Sequence, residues 1–515
     1  MSKKNVVASM ATIAFFGICA KVLGLVREGV FGAYFGTSSE MDLFGLLSGY
    51  ATTLITLLGG ALASSYYPFN IKNIEQKGER YAANQFSKLL NQYAVFSLIV
   101  YVAIFIFASD IAEIVCSSGV TVPFHRVKLY VRVIFAVLVP AGMTRLVVSG
   151  LTSLRKYGWM QITQSVYSVV AILLTLMFSN KYGIIVVVWA FMLNTVFQII
   201  LLCFVYYKGE RKYELCFDIK DEQTVAAWRG LVPVAIGADV FMIGATIDRS
   251  IGISLGLVGA SASLSYAGTL YGSVIALVAT PVKTVFNTEM NRKFFSDGNK
   301  DDLFAQIEST FNHMAILLVP ICFFLSVAAH GFITIVLQRG AFDEYSTQLT
   351  ASTFMVYILI APIFAMRELL NGLHVLLNDR VSSMYSGLIF VVANASLSFA
   401  FSKVFGLVGI PLGSMSAMML SYLYLFMHLR IKHGCQNKII NSTLLKIIFA
   451  GVLGIVGVWC MRLGVSVVSV YLRFVLELFI FLFAYILMLK ISKCEELNLV
   501  FDKLKKQIHE YCHHR

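Results

Sequence analysis

The stretch Phe15-Phe-Gly-Ile-Cys-Ala-Lys-Val-Leu-Gly-Leu-Val-Arg-Glu-Gly-Val-Phe-Gly-Ala-Tyr-Phe35 belongs to a hydrophobic segment from about Val7 to Phe35 that reads as a membrane-crossing helix carrying three charges, Lys21, Arg27 and Glu28. On insertion scales each charge near a helix centre costs about 2.5–3.5 kcal/mol, so the three cost roughly 8, while each surrounding Ile, Phe, Leu or Val returns only about 0.3–0.6. Alone in lipid such a segment barely inserts. At helical spacing Lys21, Gly24 and Glu28 fall on one stripe with Arg27 at its edge. One face is thus polar and the rest apolar, as in a helix that lines a water-filled cavity. The competing reading is that Arg27 and Glu28 snorkel to the interface. Against it, the apolar run from Gly29 to Phe35 continues before the polar Gly36-Thr-Ser-Ser-Glu40 begins.

Working outward, the same apolar character extends along nearly all 515 residues, 58% of them hydrophobic and 13% charged, with a mean hydropathy of +0.78. This composition excludes an ordinary soluble domain and predicts an all-α polytopic membrane protein, because open backbone cannot cross lipid. After the first segment, apolar runs at roughly 42–68, 86–108, 128–152, 159–178, 183–206, 230–256, 262–289, 311–330, 350–370, 382–402, 406–428, 443–462 and 467–490 bring the expected count of spans to about fourteen. No soluble stretch is long enough for a separate catalytic core, so the chain is not expected to be an enzyme.

The formal charge of +13 is spread over short loops, which excludes a nucleic-acid face and reads instead as topology. Lys72, Lys77 and Arg80, then Arg155 and Lys156, then Lys208 to Lys220, Arg292 to Lys300, Arg380 and Arg430 to Lys438 all fall on the same side as Lys3 and Lys4. The positive-inside rule makes that side cytoplasmic and places both termini there. The nine cysteines have no CxxC pair and no metal spacing, so they read as reduced packing residues. The N-terminal segment is too long and too charged for a cleaved signal peptide. The loop 292–310 and the tail 491–515 carry helix-period apolar residues (Leu497, Val500, Leu504, Ile508) suited to lying on an anionic leaflet.

A faint internal repeat sets Arg27-Glu28 beside Asp248-Arg249, each pair followed by a Gly- and Ser-rich outer turn. Two six-helix lobes around a central cavity follow: 1–207 and 230–430, joined by a cytoplasmic linker at 208–229, with two further helices at 431–490. Charges inside the spans are Asp42, Arg132, Arg145, Asp239, Asp248, Arg249, Arg367 and Glu368. Neighbours on a helix point about 100° apart, so pairs such as Asp248-Arg249 are not expected to neutralise themselves side by side, and at least one member should face another helix or a ligand. Cations in such a cavity suit an anion, above all a phosphate or pyrophosphate gripped by Arg. An interhelical ion pair that only fixes packing is the alternative for each. His330 and His374, near helix ends with no catalytic spacing, read as surface or interfacial residues.

Lys21-Val-Leu-Gly-Leu-Val-Arg-Glu28, Phe35-Gly36 and Met41-Asp-Leu-Phe44 together resemble the first-helix signature of the lipid II flippase family, the MurJ or MviN proteins of the multidrug/oligosaccharidyl-lipid/polysaccharide exporter superfamily. Ile247-Asp-Arg249 with Ser261-Ala-Ser-Leu-Ser-Tyr-Ala267, Leu337-Gln-Arg-Gly-Ala-Phe342 and Leu376-Leu-Asn-Asp-Arg380 follow in the family's order. The resemblance implies a flippase that moves an undecaprenyl-pyrophosphate-linked saccharide, lipid II or a polysaccharide repeat unit, from the inner to the outer leaflet of a bacterial cytoplasmic membrane by alternating access. It implies substrate contacts at Lys21, Arg27, Glu28 and Asp42, to which the charge pattern adds Arg249, Arg367 and Glu368. No cofactor is implied beyond a coupling cation, Na+ or H+, or the membrane potential, with Asp239, Asp248 and Asp379 as the cation candidates. The partners are the lipid-linked substrate and membrane lipids, and the chain is expected to be a monomer. The family's basic pair in helix two falls here on about Leu54-Ile55, and its Asp-Arg after Tyr-Ala falls on Gly268-Thr269. Those departures favour a related carrier-linked glycan over lipid II. A cation-coupled drug antiporter of the same superfamily is the main alternative and should prefer an acidic lining. A membrane glycan polymerase or ligase would need a long outer loop that the chain lacks.

Overall fold

The computed structural model describes residues 3–156, 159–237, 240–279, 300–377, 379–435, 442–464 and 469–493, with side-chain surroundings from residue 17 onward. Among them the chain is helical and holds no strand. Ten stretches are long and apolar enough to cross a membrane. Two of these ten stretches among the described residues, 39–106 and 381–433, run to 68 and 53 residues. At 1.5 Å per residue each exceeds twice the ~30 Å hydrocarbon thickness.

Two compact units are present. The first comprises Met1–Tyr266 with Leu337–Ser346. Its described helices are α1 (Lys3–Phe35), α2 (Ser39–Ile55), α3 (Ala61–Ile106), α4 (Ala108–Ser117), α5 (Phe124–Phe135), α6 (Leu138–Ser153), α7 (Trp159–Tyr182), α8 (Ile185–Tyr206), α9 (Glu222–Gly237) and α10 (Val240–Ser254). A π turn over Thr56–Gly60 joins α2 to α3, and Gly78, at φ 85°, breaks α3 where the basic residues Lys72 to Arg80 cluster. Tyr66, Phe86, Leu90, Tyr93, Leu146, Leu151, Leu202 and Tyr206 form the packed core of α3, α6 and α8. α7 runs along α1, and α2 lies against α5 and α10.

The stretch expected to link two lobes, 208–229, belongs to this first unit. Asn91 donates to the Glu214 and Cys216 carbonyls, Gln92 donates to the Asp218 carbonyl, and Arg211 pairs with Glu79. Lys88 bridges Asp218 and Asp221 at 3.4 Å each. The segment is thereby held on α3 by its own backbone acceptors, with Ala227 and Trp228 at its end packed into the core.

The second unit comprises Ala267–Val336 and Thr347–Arg515. α11 (Ala260–Val274) starts at the end of the first unit and continues into it. Its other described helices are α12 (Lys300–Val327), α13 (Ala329–Leu337), α14 (Glu344–Leu376), α15 (Arg380–Phe405), α16 (Gly409–His433), α17 (Ser442–Gly464) and α18 (Val470–Ile491). α15 and α16 form a close hairpin, and α12 packs with α17 and α18. Glu477 on α18, 2% exposed, accepts from Arg462 at 2.8 Å and Arg473 at 3.1 Å. The tail 494–515, the loop 280–299 and Asp239 lie outside the described residues.

Candidate functional site

The charged stripe of α1 keeps an open face. A methyl group added at Gly17 or Gly24 would meet nothing within 4 Å, and Lys21 between them is exposed. On the adjacent row Ile18, Val22 and Val26 are each about half exposed, at 52%, 50% and 51%. Polar and apolar stripes thus lie side by side along one helix. Higher up, Arg27 does what neighbouring residues were not expected to do: its Nη2 donates to Glu28 Oε1 at 2.6 Å. The long arginine stem folds across the ~100° that separates the two Cβ atoms. The guanidinium lies 4.7 Å from the centroid of the Tyr167 ring on α7 and 5.8 Å from that of Phe31. Its buried Nε has no hydrogen-bond partner.

Asp42, the acidic residue that opens α2, is 7% exposed and closes on backbone. Gly259 and Ala262 donate their N–H groups to its two oxygens at 2.6 and 2.7 Å, so it caps the start of α11. Around it this end of the unit is tied together. Tyr266 donates to the Gly36 carbonyl at 3.2 Å, Thr37 and Ser346 hydroxyls lie 2.9 Å apart, and the Ala341 N–H donates to the Ala33 carbonyl at 2.7 Å. Gly36 and Gly340 have φ of 54° and 58°, and a Cβ on either would strike the facing backbone at Ala341 or Ala33. The motif Leu337-Gln-Arg-Gly-Ala-Phe342 is therefore a lock on the end of α1, with Phe342 packed on Gly32 and edge-on to Tyr266.

Asp248 on α10 is 1% exposed, and the Arg249 guanidinium lies against Gly49 of α2. Thr246 and Thr53, and Ser250 and Tyr50, share hydrogen bonds between the same two helices at 2.8 Å. In the second unit Arg367 is 7% exposed; it donates from Nε to Ser421 at 2.7 Å and from Nη1 to Glu368 at 3.1 Å, again an adjacent pair that closes on itself. Gly268 and Gly272 on α11, where the resemblance implies an Asp-Arg pair at the first position and its successor, face open space.

Of the two histidines expected at the surface, only one is there. His330 is exposed, but His374 is fully buried at 0%. It lies beside Asp379, His428, Lys432 and His433 at one end of α14 and α16. Burial works to raise the Asp379 carboxyl, but hydrogen bonds from Lys432, His433 and Ser382 outweigh it and hold the group below the usual carboxylate range. The signal was present as His374-x4-Asp379 and His428-x4-His433, two short spacings that gain meaning only when α14 and α16 are side by side.

With this geometry in hand, the family profile described as lipid II flippase MurJ matches residues 31–489. The chain belongs to the lipid II flippase MurJ family. Among its relatives, a probable lipid II flippase MurJ of Rickettsia prowazekii is 24% identical over 457 residues, covering 85% of this chain and 88% of that one. The lipid II flippase MurJ of Thermosipho africanus is 24% identical over 428 residues, covering 82% and 84%. A solved lipid II flippase MurJ in an inward closed conformation has the same fold, with a TM-score of 0.77 at 18% identity over 94% of this chain and 99% of that one. A multidrug resistance MATE family transporter of the MOP superfamily, in an inward-facing conformation, shares the fold with a TM-score of 0.66 at 14% identity over 80% of this chain and 94% of that one. The MurJ fold places the α1 signature and the Leu337–Phe342 lock in one unit.

Proposed function

We propose that the chain is a flippase for a polyprenyl-pyrophosphate-linked saccharide, moving it from the inner to the outer leaflet of a bacterial cytoplasmic membrane by alternating access, with both termini cytoplasmic. The observation that carries this reading is the pair of stripes on α1. An amphiphile with a pyrophosphate head and an isoprenoid tail needs cations and an apolar track next to each other, and Lys21 and Arg27 beside Ile18, Val22 and Val26 supply both. Glu28 holds Arg27 by one hydrogen bond until a phosphate displaces it. The unpartnered Nε and the Nη edge then form the fork that a phosphate accepts bidentately. Lys21 is the second cation for the same head group. Asp248, buried on α10, is the strongest of the coupling-cation candidates for Na+ or H+, with membrane potential as the other energy source. The chain moves its substrate without making or breaking covalent bonds, acts as a monomer, and draws on lipid and substrate as its partners. Membership of the MurJ family favours this reading over a drug antiporter.

The test is rescue of a bacterium depleted of its lipid II flippase. The wild-type chain should restore growth and Arg27→Ala should not, at equal membrane levels on a blot; Arg27→Lys should restore it partly, because a point charge replaces a fork. Failure of the wild-type chain, with rescue instead of a strain lacking a polysaccharide-unit flippase, would assign the glycan. Full rescue by Arg27→Ala would remove the proposed head-group contact.

A further inference from the structure

We infer that His374, Asp379 and His433 form a transition-metal site, suited to Zn2+, that ties the ends of α14 and α16 to the turn before α15. This inference does not depend on what the chain transports.

One ligand atom from each residue lies within 4.8 Å of the others. Asp379 Oδ2 is the hub: His374 Nδ1 stands at 3.5 Å, His433 Nε2 at 3.3 Å and His428 Nδ1 at 3.3 Å. Zinc bonds of about 2.0–2.2 Å in tetrahedral geometry set neighbouring ligand atoms roughly 3.3–3.5 Å apart, the spacing at which both histidine nitrogens stand from Asp379 Oδ2. His374 supplies the independent observation. Its Nε2 stands 3.0 Å from the Leu425 carbonyl, which can only accept, so Nε2 carries the proton. In the neutral ring Nδ1 then presents a lone pair toward a carboxylate oxygen, acceptor facing acceptor, on a side chain with no exposure. Nδ1 accordingly has no hydrogen-bond partner. A bound cation between the two resolves the clash. A ring N–H donated to a backbone carbonyl, which fixes the tautomer and leaves the lone pair of the other nitrogen for a cation, is the arrangement in which histidines ligate metals.

Two imidazoles and one carboxylate suit a borderline ion and not Na+, which prefers oxygen. Lys432 is the obstacle. Its Nζ sits 3.1 Å from the same oxygen, but the side chain is 55% exposed and its flexible stem can carry the ammonium into water. Lys432 therefore competes with the metal for Asp379.

The experiment uses the full-length chain in detergent, stripped with a chelator and titrated with Zn2+, with metal per chain read by elemental analysis and melting temperature recorded alongside. The wild type should take up about one Zn2+ per chain in a tight class and melt higher with it. His433→Gln and Asp379→Asn should each weaken uptake by at least about tenfold to a hundredfold. Lys432→Met should tighten it, a result that a purely structural cluster would not produce. His513→Ala with His514→Ala should change nothing. If His433→Gln or Asp379→Asn does not fold, Co2+ added to the wild type still decides: tetrahedral coordination gives intense visible bands that Zn2+ abolishes. No tight Zn2+ in the wild type would overturn the site, leaving an imidazolium network around Asp379. Undiminished uptake in both folded variants would place the metal elsewhere and overturn it equally.

Discussion

Arg27-Glu28 on α1 and Arg367-Glu368 on α14 are the same dipeptide in the two units, and each arginine donates to its neighbouring glutamate. Beyond that they part. Arg367 also donates from Nε to Ser421, whose hydroxyl bonds Ser386 in turn, so the guanidinium is built into the contact of α14, α15 and α16. Arg27 has no such second partner at Nε; it rests on the Tyr167 ring and keeps a side chain 18% exposed against 8% for Arg367. An arginine with its donors filled by protein holds a fold together, whereas one with a donor left over is available to a ligand. We therefore assign binding to the first pair and packing to the second.

The largest effect expected from that contrast is at Arg367. Arg367→Ala strips a buried pair of one partner and should cost about 3–5 kcal/mol, seen as a collapse in the detergent-stable, monodisperse fraction. Next comes Asp42→Ala, which leaves the α11 N–H groups of Gly259 and Ala262 without an acceptor; about 2–3 kcal/mol should be lost in thermal unfolding. Gly340→Ala forces a left-handed φ of 58° on a residue with a side chain and should cost at least about 1–2 kcal/mol. Ser421→Ala removes one hydroxyl from the Arg367 network, and in a membrane interior that is worth only about 0.6–1.7 kcal/mol. Arg27→Ala should cost less stability than Arg367→Ala, because its side chain is the more exposed of the two, while abolishing transport. An unfolding series in which Arg27→Ala falls as far as Arg367→Ala would erase the distinction between the pairs.

The helical membrane class and the charged face of α1 were legible in the sequence because both rest on short-range periodicity. Lys21, Gly24 and Glu28 need only 3.6 residues per turn to share a stripe. What is not legible there depends on reach or on distance along the chain. The closure of Arg27 on Glu28 is a rotamer property of a long side chain, invisible to Cβ directions. The acceptor role of Asp42 is invisible in the sequence, since Gly259 and Ala262 lie more than 200 residues away. The histidines of α14 and α16 are 54 or more residues apart and read singly as interfacial groups. The stretch 208–229 reads as a linker because it is polar, yet Asn91, Gln92 and Lys88 of α3 satisfy it.

The central claim, that Arg27 is the head-group contact, is tested most directly by equilibrium binding of a polyprenyl-pyrophosphate-linked saccharide to purified wild type, Arg27→Ala, Arg27→Lys and Ser421→Ala in lipid nanodiscs. Losing hydrogen bonds to a charged group costs about 1.5–3 kcal/mol, so Arg27→Ala should bind roughly 10- to 100-fold more weakly, Arg27→Lys less so, and Ser421→Ala like wild type. A folded Arg27→Ala protein that binds the substrate as tightly as wild type would contradict the account.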